Sequence, residues 1–191
     1  MQQEKHHHYI LHKPYGYLSQ FINNQNKRKN KKLLGELFNF AEGTMAIGRL
    51  DETSEGLLLL TTDGKVSHYF TSHKVEKEYY VEVDGLITHE AISVLKKGVV
   101  ISINGKSYKT KSCEVNKVES LKKYAVELRK VRNERHGPTS WISLTLTEGK
   151  FRQVRKMTAA VGFPTLRLVR VRIGKIELNL EVGKVKEVIT F

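Results

Sequence analysis

The 191-residue sequence predicts an α+β fold, because strand patterns dominate and only a few helix patterns accompany them. Apolar and polar residues alternate over 77–85 and 141–147, as in half-buried strands. A helical pattern spans about 151–161, with its apolar residues three or four positions apart. Neither an internal repeat nor a Pro/Ser-rich linker divides the chain. We therefore expect one α+β unit.

The N-terminal part predicts a tail, a strand, a loop and a helix in that order. Residues 1–8 are polar and predict a disordered tail, so the folded domain would span 9–191. Tyr9–Leu11 predicts a short first strand. Residues 23–32 contain no apolar side chain and predict a flexible loop. The spacing of the leucines and Phe over 33–38 predicts a helix after that loop.

The remaining elements follow from shorter patterns. The aliphatic run Leu57–Leu60 predicts a buried strand. A helical pattern precedes Gly98, and mostly strand patterns fill 99–130. Gly162 can end the last helix in a left-handed conformation, and strand patterns follow it from Leu166 to the C-terminus. In the strand at 77–85 we expect one buried face, formed by Tyr79 and the two valines after it.

The charge of the chain indicates its class of partner. Lys and Arg number 33 against 20 acidic residues, a formal net charge of +13. Such an excess attracts polyanions, and nucleic acid is the usual one. A membrane surface would require a basic amphipathic helix or a lipidation site, and the sequence contains neither. With one cysteine, Cys113, and no secretory signal, the cytoplasm is the expected location.

The strongest chemical signal is a polar loop that contains Asp51 and leads into the apolar run Leu57–Leu60. Gly48 and Gly56 permit turns at its two ends. A rigid strand would therefore position Asp51, as is common for reactive groups on loops. From the residues alone, a carboxylate that caps a turn and pairs with Arg49 is an equally good interpretation.

A second signal is a cluster of cations in 149–156. Lys150, Arg152, Arg155 and Lys156 crowd the first turns of a predicted helix, where the helix dipole disfavours positive charge. An anion nearby would offset that cost, and it could be a phosphate, a protein carboxylate or both. The alternative is a merely solvated basic face.

Three motifs occur in order along the chain. They are Gly48-Arg49-Leu50-Asp51 with Ser54-x-Gly56-Leu57-Leu58-Leu59-Leu60-Thr61, then Lys77-x-Tyr79-x-Val81, then Glu148-Gly149-Lys150-Phe151-Arg152-Gln153-Val154-Arg155-Lys156-Met157. In type, order and spacing they resemble the RsuA/RluB/RluE/RluF family of pseudouridine synthases, and the resemblance spans nearly the whole chain. One departure is Thr62, where the family commonly has asparagine, but this position lies beyond the reactive loop.

The resemblance implies a mixed, mainly antiparallel sheet with flanking helices and a central active-site cleft. It implies that Asp51 is the catalytic carboxylate, that Tyr79 lies against the target base and that Arg155 pairs with Asp51. It implies no cofactor, and we expect no metal ion. Members often carry an N-terminal S4 RNA-binding module, whereas here 9–191 would be the catalytic domain alone.

The resemblance also implies a substrate. The family isomerises uridine to pseudouridine, and a paired or stacked uridine must first be turned out of its helix. Two weaker motifs, Pro138–Trp141 and Val161–Leu168, resemble the large-subunit type E branch of the family. That branch modifies a uridine of 23S rRNA near the peptidyl transferase centre. We therefore expect rRNA, 23S rather than 16S, or a ribosomal subunit precursor as the partner of a monomeric enzyme.

RNA contacts are assigned mainly by charge and by proximity to the motifs. Arg49 is the candidate to fill the space that the uridine vacates or to hold a neighbouring phosphate. The other predicted RNA-binding residues are Lys27, Arg28, Lys29, Lys150, Arg152 and Gln153. Charge alone adds Lys122, Lys123, Arg129, Lys130, Arg132, Arg135, Arg167 and Arg170.

Two other functions fit parts of the sequence. Asp51, Glu52 and Glu55 could hold Mg²⁺ in a nuclease, since clustered carboxylates beside basic residues suit that chemistry. A non-catalytic RNA-binding or ribosome-assembly protein would also explain the charge. It would not explain why Asp51, Tyr79 and Arg155 occur together.

Overall fold

The protein is described from a computed structural model that covers residues 5–23, 30–72, 75–124, 126–127 and 129–191. Its strands are β1 (His8–Lys13), β2 (Met45–Ala46), β3 (Glu55–Thr61), β4 (Lys77–Asp84), β5 (Val100–Ile103), β6 (Lys106–Lys109), β7 (Glu114–Lys117), β8 (Thr139–Leu146), β9 (Thr165–Ile173), β10 (Ile176–Glu177) and β11 (Val185–Val188). Its helices are α1 (Gly64–Ser72), α2 (His89–Lys97) and α3 (Gln153–Ala160).

Over the described residues, nine strands form one mixed sheet. Seven of them run in the order β11-β1-β3-β9-β4-β8-β7, and β2 and β10 add to β3 and β9. The β3–β9 pair is parallel and the other neighbours are antiparallel. Strands β5 and β6 form a separate hairpin. The predicted α+β class with a mixed, mainly antiparallel sheet is confirmed.

The parallel pairing of β3 with β9 depends on Gly56. This residue lies opposite Arg170, and its φ is +106°. A Cβ at Gly56 would lie 2.3 Å from the carbonyl oxygen of Arg170, closer than real contacts allow. Glycine therefore permits β3 to approach β9 at the point where the Asp51 loop enters the sheet.

Both faces of the sheet are buried at β4, which differs from the single buried face that the alternation predicts. Val81 and Val83 are completely buried on one face, in a core that includes residues of α2 and α3. Tyr80 is also buried, on the opposite face, where its ring packs edge-to-face against Tyr124. A strand that lies between two antiparallel neighbours and is packed on both sides has no face towards solvent. The polar residues that alternate along β4 therefore did not indicate a solvent-exposed face.

Several element boundaries differ from the predictions. The predicted helix at 33–38 is a single 3-10 turn, Leu34–Glu36, and the N–H of Leu34 donates to the carbonyl of Gln20 at 3.0 Å. Strand β1 begins at His8, and His7 already donates its N–H to the Thr62 hydroxyl, so the predicted tail through residue 8 is too long. Helix α2 ends at Gly98 as predicted, with φ +83°.

Two further regions qualify the sequence patterns. The stretch 99–130 contains β5, β6 and β7 as predicted, followed by a 3-10 turn at Leu121–Lys123. Helix α3 begins at Gln153, two residues later than the pattern suggested. Residues 24–29, the greater part of the predicted basic loop, lie outside the described residues. Within the described chain, no helix is long and apolar enough to span a bilayer.

Candidate active site

The Asp51 loop connects β2 to β3 and is clamped by the segment that follows β1. The Ser19 hydroxyl donates to the carbonyl of Leu50 (2.9 Å) and accepts from the N–H of Leu50 (3.0 Å). The N–H of Gly16 donates to the carbonyl of Glu52 (2.8 Å). The backbone is therefore held on both sides of Asp51. Ser19 was not predicted, since a serine in a turn carries no sequence signal of a contact 31 residues away.

The Asp51 carboxylate is held between two guanidinium groups. Arg152 Nη1 donates to Asp51 Oδ2 at 3.2 Å, and Arg155 Nε lies 3.9 Å from the same oxygen. The sequence predicted Arg155 as the partner, and the structure places it in ion-pair range but with Arg152 closer. No described residue donates a hydrogen bond to Oδ1 of Asp51, whose side chain is 27% exposed. One oxygen is anchored and the other is available to a ligand.

Arg155 ties helix α3 to the loop. Its side chain is 12% exposed, and Nη2 donates to the carbonyl of Thr53 (2.9 Å) and to Ser54 Oγ (3.3 Å). Burial, and then the neighbouring charge of Arg152, lower the pKa of Arg155 from its ordinary value. A guanidinium remains protonated under such conditions, so Arg155 presents a fixed charge behind Asp51.

Arg152 adopts a strained backbone at the beginning of α3. Its φ is +53° and its ψ is +34°, the left-handed conformation, at the residue that precedes the helix. For a residue with a Cβ this conformation costs roughly 1–2 kcal/mol. The strain occurs at the residue whose side chain contacts Asp51, and such strain is common at functional sites.

A pocket of about 80 Å³ brings most of the predicted site residues together. Asp51 lines one part of it and Tyr79, half-buried on β4, lines another. The other predicted residues in its lining are Arg49, Lys150, Arg152 and Gln153. Clefts of about 650 and 630 Å³ lie alongside, and Arg49 and Lys150 line both. Arg155 does not line the pocket and acts from behind it.

Gln153 links two residues of the loop that precedes α3. Its side chain donates to Glu148 Oε1 (2.6 Å) and accepts from the N–H of Lys150 (2.9 Å), and the residue is 3% exposed. Both ends of the amide are therefore occupied within the protein, unlike those of a free RNA contact. Gln153 was predicted to bind RNA, and its hydrogen bonds here are to Glu148 and Lys150. The predicted contacts Lys27, Arg28 and Lys29 lie outside the described residues.

Arg167, which charge alone assigned to RNA, is buried instead. It pairs with Glu55 through Nη2 to Oε2 at 2.9 Å, and its side chain is 2% exposed. This pairing also removes Glu55 from the predicted magnesium cluster, while Glu52 pairs with Lys31. In the described part of the chain, no group of three His, Cys, Asp or Glu side chains could share a metal ion. The carboxylates needed by the nuclease alternative therefore do not converge.

Comparisons with known proteins identify the family of the chain. The family described as RNA pseudouridylate synthase matches residues 7–160. The chain is 41% identical to ribosomal large subunit pseudouridine synthase E of Xanthomonas axonopodis over 172 residues, covering 89% of this chain and 87% of that protein. It is 39% identical to the synthase E of Vibrio parahaemolyticus, with 94% and 72% covered.

A solved structure supports the same relation. A crystal structure of a pseudouridylate synthase superposes with a TM-score of 0.74 at 26% identity, covering 98% of this chain and 72% of that one. Residues 7–160, which match the family, contain the Asp51 loop, Tyr79 and α3, and all three contribute to the pocket. The chain therefore belongs to the RNA pseudouridylate synthase family.

Proposed function

We propose that the protein isomerises a uridine of ribosomal RNA to pseudouridine, with Asp51 as the catalytic carboxylate. The observation that carries this proposal is the pairing of Asp51 with two arginines on one side and its open Oδ1 on the other. Arg152 and Arg155 hold the carboxylate in place from one side, through contacts of 3.2 and 3.9 Å to Oδ2. The uracil enters the pocket that Asp51 and Tyr79 line, and the adjoining clefts hold the rest of the nucleotide.

The reaction breaks the bond between C1′ and N1 of the uridine and forms a bond between C1′ and C5. A proton leaves C5 and a proton is gained at N1, so substrate and product have the same composition. Positive charge develops on the sugar as the first bond breaks. Asp51 can stabilise that charge, add to the sugar or take a proton.

Tyr79 and Arg49 have supporting roles in this proposal. Tyr79 stacks on the uracil or receives the C5 proton, since it lines the same pocket as Asp51. Arg49 lines the pocket and the clefts around it, which suits a side chain that fills the vacated space or holds a phosphate. Gln153 is a positioning residue that acts through Lys150 and Glu148.

Similarity to two synthases named for the large ribosomal subunit supports 23S rRNA, rather than 16S rRNA, as the substrate. The target would be a uridine near the peptidyl transferase centre, in rRNA or in a subunit precursor. We expect a monomer that acts in the cytoplasm.

The test is tritium release from 23S rRNA labelled at C5 of uridine. The wild type should release tritium, and Asp51→Asn should reduce the rate on the order of 10³-fold or more while RNA binding is kept. Glu52→Gln is the matched control, because its carboxylate is the neighbour of Asp51 but pairs with Lys31. Equal release by Asp51→Asn and wild type would contradict the proposed role.

The same assay tests the substrate. Labelled 16S rRNA should release little tritium, and mapping the modified nucleotide in 23S rRNA should place it near the peptidyl transferase centre. Release from 16S rRNA alone would contradict the large-subunit assignment but leave the chemistry intact.

A further inference from the structure

The 650 Å³ cleft beside the Asp51 pocket has an unbalanced charge. Of the described residues, five cationic side chains line it: Arg49, Lys77, Lys111, Lys150 and Arg170. One carboxylate, Glu148, also lines it, and its oxygens already accept hydrogen bonds from the Tyr108 hydroxyl (2.5 Å), the N–H of Lys111 (2.9 Å) and the side chain of Gln153 (2.6 Å). The cleft is therefore strongly positive.

Two of these cations lie on adjacent strands of the sheet. Lys77 and Tyr79 are two residues apart on β4, and Tyr79 lies opposite Arg170 on β9. An irregularity in the ladder between Glu78 and Tyr79 shifts the register, and Lys77, Tyr79 and Arg170 all line the same cleft. The ladder thus carries two cations next to the tyrosine of the active site.

Neither cation has an anionic partner within the described residues. Lys77 Nζ donates to the carbonyl of Val75 (2.9 Å), and Arg170 Nε donates to the carbonyl of Leu57 (2.8 Å). Arg170 is 3% exposed, and its Nη2 is buried without a hydrogen-bond partner among those residues. Burial of a charge without a counter-ion is costly.

The surroundings of Lys77 disfavour its positive charge. The pKa of Lys77 is lowered from its ordinary value, first by burial and then by the charge of Arg170. Both effects would be offset by an anion between the two side chains. The cleft shares Arg49, Tyr79 and Lys150 with the Asp51 pocket, so such an anion would lie beside the bound nucleotide.

We infer that Lys77 and Arg170 bind a backbone phosphate of the substrate strand next to the uridine in the Asp51 pocket. This inference rests on the proposed function, since it takes RNA as the ligand. Every nucleotide of an RNA strand carries such a phosphate, and contacts of this kind fix register and orientation without reading the base. Here the contact positions the flipped nucleotide between Asp51 and Tyr79.

The test compares the salt dependence of 23S rRNA binding by the wild type and by Lys77→Met. Losing one phosphate contact should reduce the slope of log affinity against log salt by about 0.7–0.9, and weaken binding about fivefold at 0.1 M salt. KM should rise to a similar extent with kcat unchanged. Lys77→Arg should restore the slope.

Lys186→Met is the matched control for loss of one positive charge. Lys186 is exposed on β11, at the opposite end of the strand order from β8 and β7. Its substitution should leave the slope of log affinity against log salt unchanged. Lys77→Gln repeats the measurement with a polar side chain if the methionine variant folds poorly. A slope for Lys77→Met and Lys77→Gln equal to that of the wild type would overturn the inference.

Two other results would also overturn it. A fall in kcat at unchanged KM would mean that Lys77 acts on the base rather than on a phosphate. Stabilisation of the wild type by inorganic phosphate that is lost in Lys77→Met, with equal RNA slopes, would identify a free anion as the ligand.

Tritium release separates this inference from the proposed function. If the wild type releases no tritium, the proposed function fails whatever the slopes are. If it releases tritium and the Lys77→Met slope is unchanged, only the phosphate site fails.

Discussion

Two carboxylates four residues apart, Asp51 and Glu55, each meet two arginines, yet their surroundings differ. Glu55 is 3% exposed, and both of its oxygens accept hydrogen bonds, from Arg167 at 2.9 and 3.2 Å and from Arg129 at 2.8 Å. Asp51 is 27% exposed and is anchored through Oδ2 alone, among the described residues. The Glu55 carboxylate is therefore buried with both oxygens hydrogen-bonded, whereas the Asp51 carboxylate has one oxygen open to solvent.

The comparison shows that a carboxylate paired with arginines is not in itself a catalytic sign. A buried pair with all its hydrogen bonds made holds the fold, whereas a pair with one free oxygen facing a pocket can act on a substrate. The difference lies in access, since the chemical groups are the same. Three predictions, given in order of expected effect, test or extend it.

The largest effect is expected for Glu55→Gln. Removing the charge leaves Arg167 buried without its partner, which should lower the free energy of unfolding by roughly 3–5 kcal/mol. Urea unfolding measures this, with Asp51→Asn as the control, whose stability should change by less than about 1 kcal/mol because its site is exposed. If Asp51→Asn proves the more destabilised of the two, the distinction between a structural Glu55 pair and a solvent-accessible Asp51 pair is wrong.

Two substitutions of Arg152 test whether its left-handed backbone conformation is strained and whether its contact with Asp51 matters for activity. Glycine tolerates the left-handed conformation, so Arg152→Gly should be about 1 kcal/mol more stable than Arg152→Ala. Both lose the guanidinium that contacts Asp51, so both should reduce tritium release by about tenfold. Equal stability of the two variants would show that Arg152 carries no strain, and full activity would show that its contact with Asp51 is dispensable.

The smallest effect concerns Lys13, which is fully buried and donates to the carbonyls of Pro14 (2.9 Å) and Tyr17 (2.7 Å). Burial lowers its pKa from 10.5 to about 8, against the opposing charges of Glu55 and Asp51. Between these values the unfolded chain binds more protons, so stability should rise with pH. The free-energy cost of burying the charged Lys13 is at its full value below pH 8 and disappears as the pH approaches 10.5.

We expect a gain of roughly 1 kcal/mol between about pH 8 and pH 9.5. Urea midpoints across that range measure it, with Lys13→Met as the control that lacks the titrating group. The same slope in wild type and Lys13→Met would mean that other groups cause it.

Much of the fold could be predicted from local patterns. The alternation in β4 and β8, the aliphatic run of β3 and the Gly98 end of α2 each depend on neighbours in sequence, which is why they were found. The helix at 33–38 and the beginning of α3 were misplaced. There, contacts such as that of Leu34 with Gln20 and the Arg152–Asp51 hydrogen bond override local preference.

The sequence by itself determined the family, the three motifs and the choice of Asp51, Tyr79 and Arg155 as candidates. Only the tertiary structure decided which arginine lies closest to Asp51, that Arg167 braces Glu55, and that Lys77 and Arg170 line one cleft. These facts join β3, β4, β9 and α3, which are distant in sequence. Charge and residue type are local properties, whereas burial and the identity of a partner depend on which strands meet.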